Sequence, residues 1–174
     1  MNLYKKHDTS INKAIQALHE RTFYAAFPEH PAPAIYGETA DADGQAKFKA
    51  TLGKKFEELK QRDPEGWAGQ EESPYLQEPL KISYPTFSPS TLISRSKNAF
   101  DAWRKTSVHD RAGILMESLE RVKGRFFEIA YATMHTTGQA YMMSFQASGP
   151  HAARRALEAI ATGLEEQTRY QMHA

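Results

Sequence analysis

Met134-His135-Thr136-Thr137-Gly138-Gln139-Ala140-Tyr141-Met142-Met143-Ser144-Phe145-Gln146-Ala147-Ser148-Gly149-Pro150-His151 is the stretch on which the fold turns. With its flanks, from residue 126 to 158, it is the longest weakly charged segment of the chain and is dense in methionine and aromatics. On its upstream side Phe127, Ala130, Tyr131 and Met134 recur at spacings of three and four, the period of a helix face. Gly138 and Gly149-Pro150 punctuate it, and a last helix is expected from Pro150 to Gln171. The pattern is that of a helical corner.

Working back from the corner, Lys123-Gly124-Arg125 predicts a break between helices. Before it, Ser107 and Asp110 have the spacing of a capping box and open a helix with Ala112, Leu115, Leu119 and Val122 as its inner stripe. Ser88-Pro89 begins another, proline being well placed in a first turn, with Leu92, Ile93, Ala99, Phe100 and Trp103 inward. From Lys54 to Pro89, prolines and glycines interrupt any period, while Trp67 and Tyr75 argue for an ordered wrap with one short strand near Leu80–Tyr84. A weaker helix is expected over 40–52, with Ala46, Phe48 and Ala50 inward and Gly53 closing it. A first helix is expected over 9–27, capped by Thr9 or Ser10, with Ile11, Ile15, Leu18, Thr22 and Ala25 as its stripe. Between these two, residues 28–33 form a stiff connector held by Pro28, Pro31 and Pro33. The reading is a mainly α protein with at most a few short strands. Residues 1–87 hold the first helices and the wrap, residues 88–174 the later helices, and together they make one compact unit.

A chain of 174 residues is long enough to bury a real core. Its formal net charge of +1, with bases scattered among nearly as many acids, argues against nucleic-acid binding, which depends on phosphate neutralisation. There is no cysteine, so disulfides, cysteine-ligated metals and a thiol nucleophile within these residues are excluded. The first eight residues lack the apolar core of a secretory signal, and no run approaches the roughly 18 apolar residues of a membrane span. Cytoplasm is the expected address.

The candidates for chemistry each have a plainer reading. None of the seven histidines forms an H-x-x-x-H pair, so no metal site is expected. His135 and His151 flank the corner and are the two to watch, with capping or buried hydrogen bonding favoured over catalysis. Ser148 precedes Gly149 but lacks the glycine two positions earlier of a nucleophile elbow, and reads as a turn serine. Gly53-Lys54 hints at a phosphate loop, yet Phe48 stands where the upstream glycine belongs. The pairs Glu57-Glu58, Glu71-Glu72 and Glu165-Glu166 are adjacent, so on a helix their side chains diverge by about 100° and read as solvated. Met142, Met143 and Phe145 suit a core or subunit contact better than an apolar pocket. Arg154-Arg155 with Glu158 reads as surface pairing.

A resemblance adds to this reading. Ala99-Phe100-Asp101-Ala102-Trp103, Asp110-Arg111-Ala112, Phe127-Glu128-Ile129-Ala130 and Thr136-Thr137-Gly138-Gln139 occur in the order of the N-terminal helices of the aldehyde dehydrogenase superfamily. There an A-x-x-A-W helix, an arginine–alanine-led helix, an E-L-A helix and an E-T-G-K turn follow one another. The chain most resembles the PaaN-like branch from phenylacetic acid degradation, on stretches such as Ala26-Phe27-Pro28-Glu29-His30-Pro31 and Phe145-Gln146-Ala147-Ser148-Gly149-Pro150-His151. Thr136 and Gln139 replace the charged ends of the superfamily's turn.

The resemblance implies the helical N-terminal part of an α/β dehydrogenase fold. It implies NAD or NADP as cofactor of a full-length parent, with no catalytic, cofactor-binding or metal residue expected in this chain. The family's cysteine nucleophile, glutamate base and nucleotide-binding unit have no counterpart here, so the chain alone is expected to be inert. The implied partner is the remainder of the dehydrogenase chain. Helices built to cover a sheet would expose apolar stripes without it, so homo-oligomers are expected. The alternatives are a stand-alone helical interaction module using the Met134–Phe145 surface and, last, a small enzyme using His135 or His151.

Overall fold

The computed structural model describes residues 2–170, and the expected helix end at Gln171 lies outside them, as does His173. Eight helices and four very short strands are assigned: α1 (Leu3–Glu20), α2 (Pro33–Tyr36), α3 (Ala40–Thr51), β1 (Gly66–Ala68), β2 (Glu72–Ser73), β3 (Glu78–Pro79), β4 (Tyr84–Thr86), α4 (Pro89–Lys105), α5 (Val108–Lys123), α6 (Phe126–Thr137), α7 (Tyr141–Gln146) and α8 (Ala152–Thr168). A π-turn over Ala147–His151 joins the last two. The expected mainly α fold is the one observed.

The corner at the centre of the sequence is where the helices meet. Phe126, Phe127 and Ala130 on α6 and Phe145 on α7 are buried with Phe27 and the flank of Tyr36. Their rings pack largely edge to face: Phe126 meets Phe145 with ring centres 6.3 Å apart at 90°, and Tyr36 meets Phe127 at 5.5 Å and 82°. Such geometry sets the positive edge of one ring against the negative face of the next. Burial pushes the Tyr36 phenol up to about 12, and its hydroxyl donates to the Pro28 carbonyl. Ile11 and Ala14 of α1, Ala112 and Met116 of α5, and Leu157, Ala161 and Leu164 of α8 extend this core.

Two glycines set how closely the helices cross. A Cβ built on Gly44 of α3 would lie 2.3 Å from the Phe127 Cβ, and one on Gly113 of α5 would lie 2.4 Å from the Tyr4 backbone nitrogen. Only hydrogen fits at those crossings, so α3 rides on α6 and α1 on α5 at backbone distance.

Several boundaries and faces differ from the expectation. Helix α1 starts at Leu3 because the Asn2 side chain caps it, accepting from the Lys5 N–H at 3.1 Å, and buried His7 begins a stripe that apolar counting does not register. It ends at Glu20, with Arg21 left-handed (φ 53°), so Thr22 and Ala25 are not helical. In α3 the inward residues are Gly44 and Phe48, while Ala46 and Ala50 are exposed. In α5 the Ser107 hydroxyl accepts from the Asp110 N–H, but the buried face is Ala112, Gly113 and Met116, leaving Leu115 and Val122 exposed. The intimate contact at Gly113 turns the helix toward that side. The last helix starts early: α7, the π-turn and α8 form one rod from Tyr141, and the π-turn takes in Pro150, which lacks the N–H a regular turn would use.

The wrap is ordered, but its expected strand is replaced by two small antiparallel ribbons, β1 with β4 and β2 with β3. Only Tyr84 of the expected 80–84 run lies in a strand. Leu80 and Ile82 instead drop into a second apolar cluster with Phe48, against Tyr131 and Ala132 of α6.

Helix α4 departs furthest from expectation. None of its residues is buried, and Leu92, Ile93, Phe100 and Trp103 are between 40% and 60% exposed. Its N-terminus is tied down: the Glu65 carboxylate accepts from the Ser88 N–H (3.0 Å) and the Thr91 hydroxyl, and Arg95 donates to the Arg62 carbonyl (2.8 Å). Those hydrogen bonds hold the Glu65 carboxyl below its usual range.

Candidate functional site

Of the residues that suggested chemistry, His135 sits at the end of α6 among side chains from α3 and the wrap. The His135 ring stacks on Phe48 at 4.9 Å with 10° between planes and meets Tyr75 edge-on at 6.1 Å. Its Nδ1 lies 2.7 Å from the hydroxyl of fully buried Ser73. That hydroxyl already accepts the Leu76 N–H at 3.1 Å, which leaves its proton to donate to Nδ1 and favours the Nε2–H tautomer of a neutral ring. Burial, with help from Lys49, pushes the His135 pKa down, in keeping with that state. Two residues after Ser73, the Tyr75 hydroxyl donates to the carbonyls of Gly138 (3.2 Å) and Gln139 (2.9 Å). Gly138 itself caps α6 in the left-handed region (φ 75°). His135 thus pins the β2–β3 ribbon onto α6, and its basic nitrogen is spent on doing so.

Two further clusters, neither visible in the sequence, lock the same corner. The Asp41 carboxylate accepts from the hydroxyls of Tyr131 (3.1 Å) and Tyr141, whose rings lie 4.8 Å apart, joining the start of α3 to α6 and α7. Burial and the neighbouring carboxylate push both phenols up, so neither is a proton donor near neutral pH. Arg125 binds buried Glu128 through two hydrogen bonds of 2.9 and 2.6 Å and reaches Glu58 of the wrap as well. The partners are 90 and 67 positions apart in the chain, and no local motif announces them.

The other candidates are dispersed. His151 sits beside Arg154, whose guanidinium donates to Nδ1 at 3.1 Å, lies 2.7 Å from the Glu29 carboxylate and covers the Phe23 ring. Arg154 therefore holds residues 23–29 against α8, while Arg155 alone makes the expected pair with Glu158. The Ser148 hydroxyl donates to the Ser144 carbonyl and accepts from Thr133 inside the π-turn. Met142 and Met143 are exposed whereas Phe145 is buried, so the three line no common pocket. Of the acid pairs, Glu58 goes to Arg125, Glu165 to His19 and Glu166 to Arg169.

The turn at Gly53-Lys54 does not form a phosphate cradle. The Gly53 N–H donates to the Leu80 carbonyl and the Lys54 N–H to that of Thr51, so that turn has no free donors for phosphate. An open cleft of about 420 Å³ between α2, α3 and the α5–α6 junction mixes Lys47 and Lys123 with Asp43, Glu120 and Glu128 and has no single sign of charge. A second, of about 330 Å³, lies between α5 and α8 with Trp103 at its edge, its apolar walls joined by Arg111 and Gln167. Among the described residues there is no group of three potential metal ligands, and no helix is long and apolar enough to cross a membrane.

Comparison with solved structures identifies the arrangement of these helices. The chain is similar to the NAD-dependent aldehyde dehydrogenase from Burkholderia multivorans, known from its crystal structure, at 43% identity and a TM-score of 0.92. The match covers 98% of this chain and 30% of that one, so the chain spans less than a third of its length. The fold is therefore that of a helical part of an aldehyde dehydrogenase, and the identity supports the aldehyde dehydrogenase superfamily for this chain. No family model matches, and no curated relative does.

Proposed function

We propose that the chain is the N-terminal helical part of an aldehyde dehydrogenase of the PaaN-like branch, acting in phenylacetate breakdown in the cytoplasm. The full-length parent would oxidise an aldehyde with NAD or NADP. The observation that carries this reading is the end-to-end match at 43% identity to under a third of an NAD-dependent dehydrogenase. Resemblance over residues such as Phe145-Gln146-Ala147-Ser148-Gly149-Pro150-His151 supports the branch.

On this reading the chain has a structural duty and no catalytic, cofactor or metal residue of its own. Aldehyde oxidation by this route needs a thiolate to add to the carbonyl, and these residues include no cysteine. His135 offers no substitute, its Nδ1 being engaged by Ser73. Residues 1–87 and 88–174 act as one unit, an organisation supported by the packing of α1 against α5 and α8. The partner is the rest of the dehydrogenase, which would cover α4; nucleic acid and membrane are not partners. Assaying aldehyde-dependent NADH and NADPH formation by this chain and by the full-length parent tests the proposal. Turnover is expected from the parent only, and turnover by these 174 residues alone would overturn it.

A further inference from the structure

The β2–β3 ribbon is fastened to the end of α6 through one fully buried hydroxyl and two exposed hydrogen bonds. The Ser73 hydroxyl donates to His135 Nδ1 at 2.7 Å while accepting the Leu76 N–H at 3.1 Å. The Tyr75 hydroxyl supplies the exposed pair, to the carbonyls of Gly138 and Gln139. Exposed hydrogen bonds compete with water and hold little on their own. The ribbon's backbone is also strained: Gln77, just before β3, and Lys81, shortly after it, are non-glycine residues in the left-handed region, with φ of 54° and 53°. Its exit is anchored, because Leu80 is buried and its carbonyl accepts from the Gly53 N–H.

The nitrogen that faces Ser73 is the one an incoming proton would take. A proton on Nδ1 turns that nitrogen from acceptor to donor. Ser73 must then accept from it as well as from Leu76, and its own hydroxyl proton is left without a partner at a site with no exposure. The surrounding charges do not compensate. Lys49 of α3 is cationic and opposes an imidazolium. On the ribbon Glu72 and Glu78 are exposed, Glu72 projecting from β2 on the side opposite buried Ser73, and Glu71 acts on the Tyr84 phenol. One turn back on α6, the Tyr131 phenol is tied to Asp41. We propose that the β2–β3 ribbon is a proton-gated flap: neutral His135 fastens it to α6, and protonation of the ring releases it about the Leu80 anchor while the α6–α7 corner stays folded.

Nuclear magnetic resonance on the full chain tests this. The imidazole nitrogen shifts of the wild type are expected to show the Nε2–H tautomer of His135 at neutral pH. Strands of two residues do not hold together alone in water, so the ribbon's amides report its release. On the acid side of about pH 6.5, protection of the Leu76 and Gln77 amides, corrected for intrinsic exchange, is expected to fall about tenfold or more while that of α6 is unchanged. His135→Phe, which keeps a ring on Phe48 but cannot titrate, is expected to show no such step. Ribbon protection that stays level down to about pH 4, well below the ordinary imidazole value, overturns the proposal. So does an Nδ1–H tautomer at neutral pH, a step that survives in His135→Phe, or one that α6 shares, which is global unfolding. The wild-type titration alone carries the test should the variant not fold. None of these readouts uses turnover, so the dehydrogenase reading stands or falls separately.

Discussion

The α6–α7 corner and helix α4 are both rich in aromatics and both look, in sequence, like helices with an inner face. At the corner each large ring has a partner: Phe126 and Phe145 are at most 1% exposed, and His135 is held on three sides. On α4, no residue is buried and Phe100 is 60% exposed among the described residues. The difference teaches that amphipathicity fixes which side of a helix seeks cover, but not whether the cover belongs to the same chain.

The contrast breaks most sharply on truncation of a corner ring. Phe126→Ala is expected to cost about 3–5 kcal/mol in urea unfolding, the usual loss for a buried phenylalanine whose cavity cannot collapse. Smaller, and diagnostic of the clamp, is His135→Ala, at about 1–3 kcal/mol, because the buried Ser73 hydroxyl loses its acceptor. The pH dependence follows from the depressed pKa of His135. The unfolded ring binds a proton more readily than the folded one, so the contribution is full above about pH 6.5 and falls as pH drops through the folded value. His135→Ala should therefore flatten the stability profile on the acid side of about pH 6.5, and an unchanged slope would remove His135 from the clamp.

Smaller still is the α1–α5 tie. Glu117 accepts from Lys6 (2.6 Å) and buried His7 (2.9 Å), and these bonds hold its carboxyl at about 2. Stabilisation from this group is present above the ordinary carboxylate value and is lost as pH falls toward 2. Thermal melts of Glu117→Gln should lie below the wild type at neutral pH and converge with it in acid. Least of all is expected of Phe100→Ala: within about 0.5 kcal/mol for the dilute chain, since an exposed ring has little to lose.

The sequence made the helical character, the wrap, the break at Gly124 and the corner at Gly138 legible, because proline, glycine and period act locally. Faces were less so. Gly44 and Gly113 turn α3 and α5 toward close crossings, and a residue without a side chain scores nothing in an apolar count, so Ala46 and Leu115 were misplaced. The start of α1 was hidden for a related reason, its first inward residue being a histidine that pairs with Glu117 across 110 positions. His135 was singled out correctly as a residue to watch, but Ser73, Phe48 and Tyr75, which define its role, approach it from 60 to 87 positions away. The exposure of α4 depends on long-range packing, and no periodicity encodes that.

Segment-resolved amide hydrogen exchange on the dilute chain tests the central contrast most directly. The account predicts slow exchange throughout α6 and α7 and fast exchange along α4 beyond its tethered first turn. Exchange in α4 as slow as in α6 would contradict it.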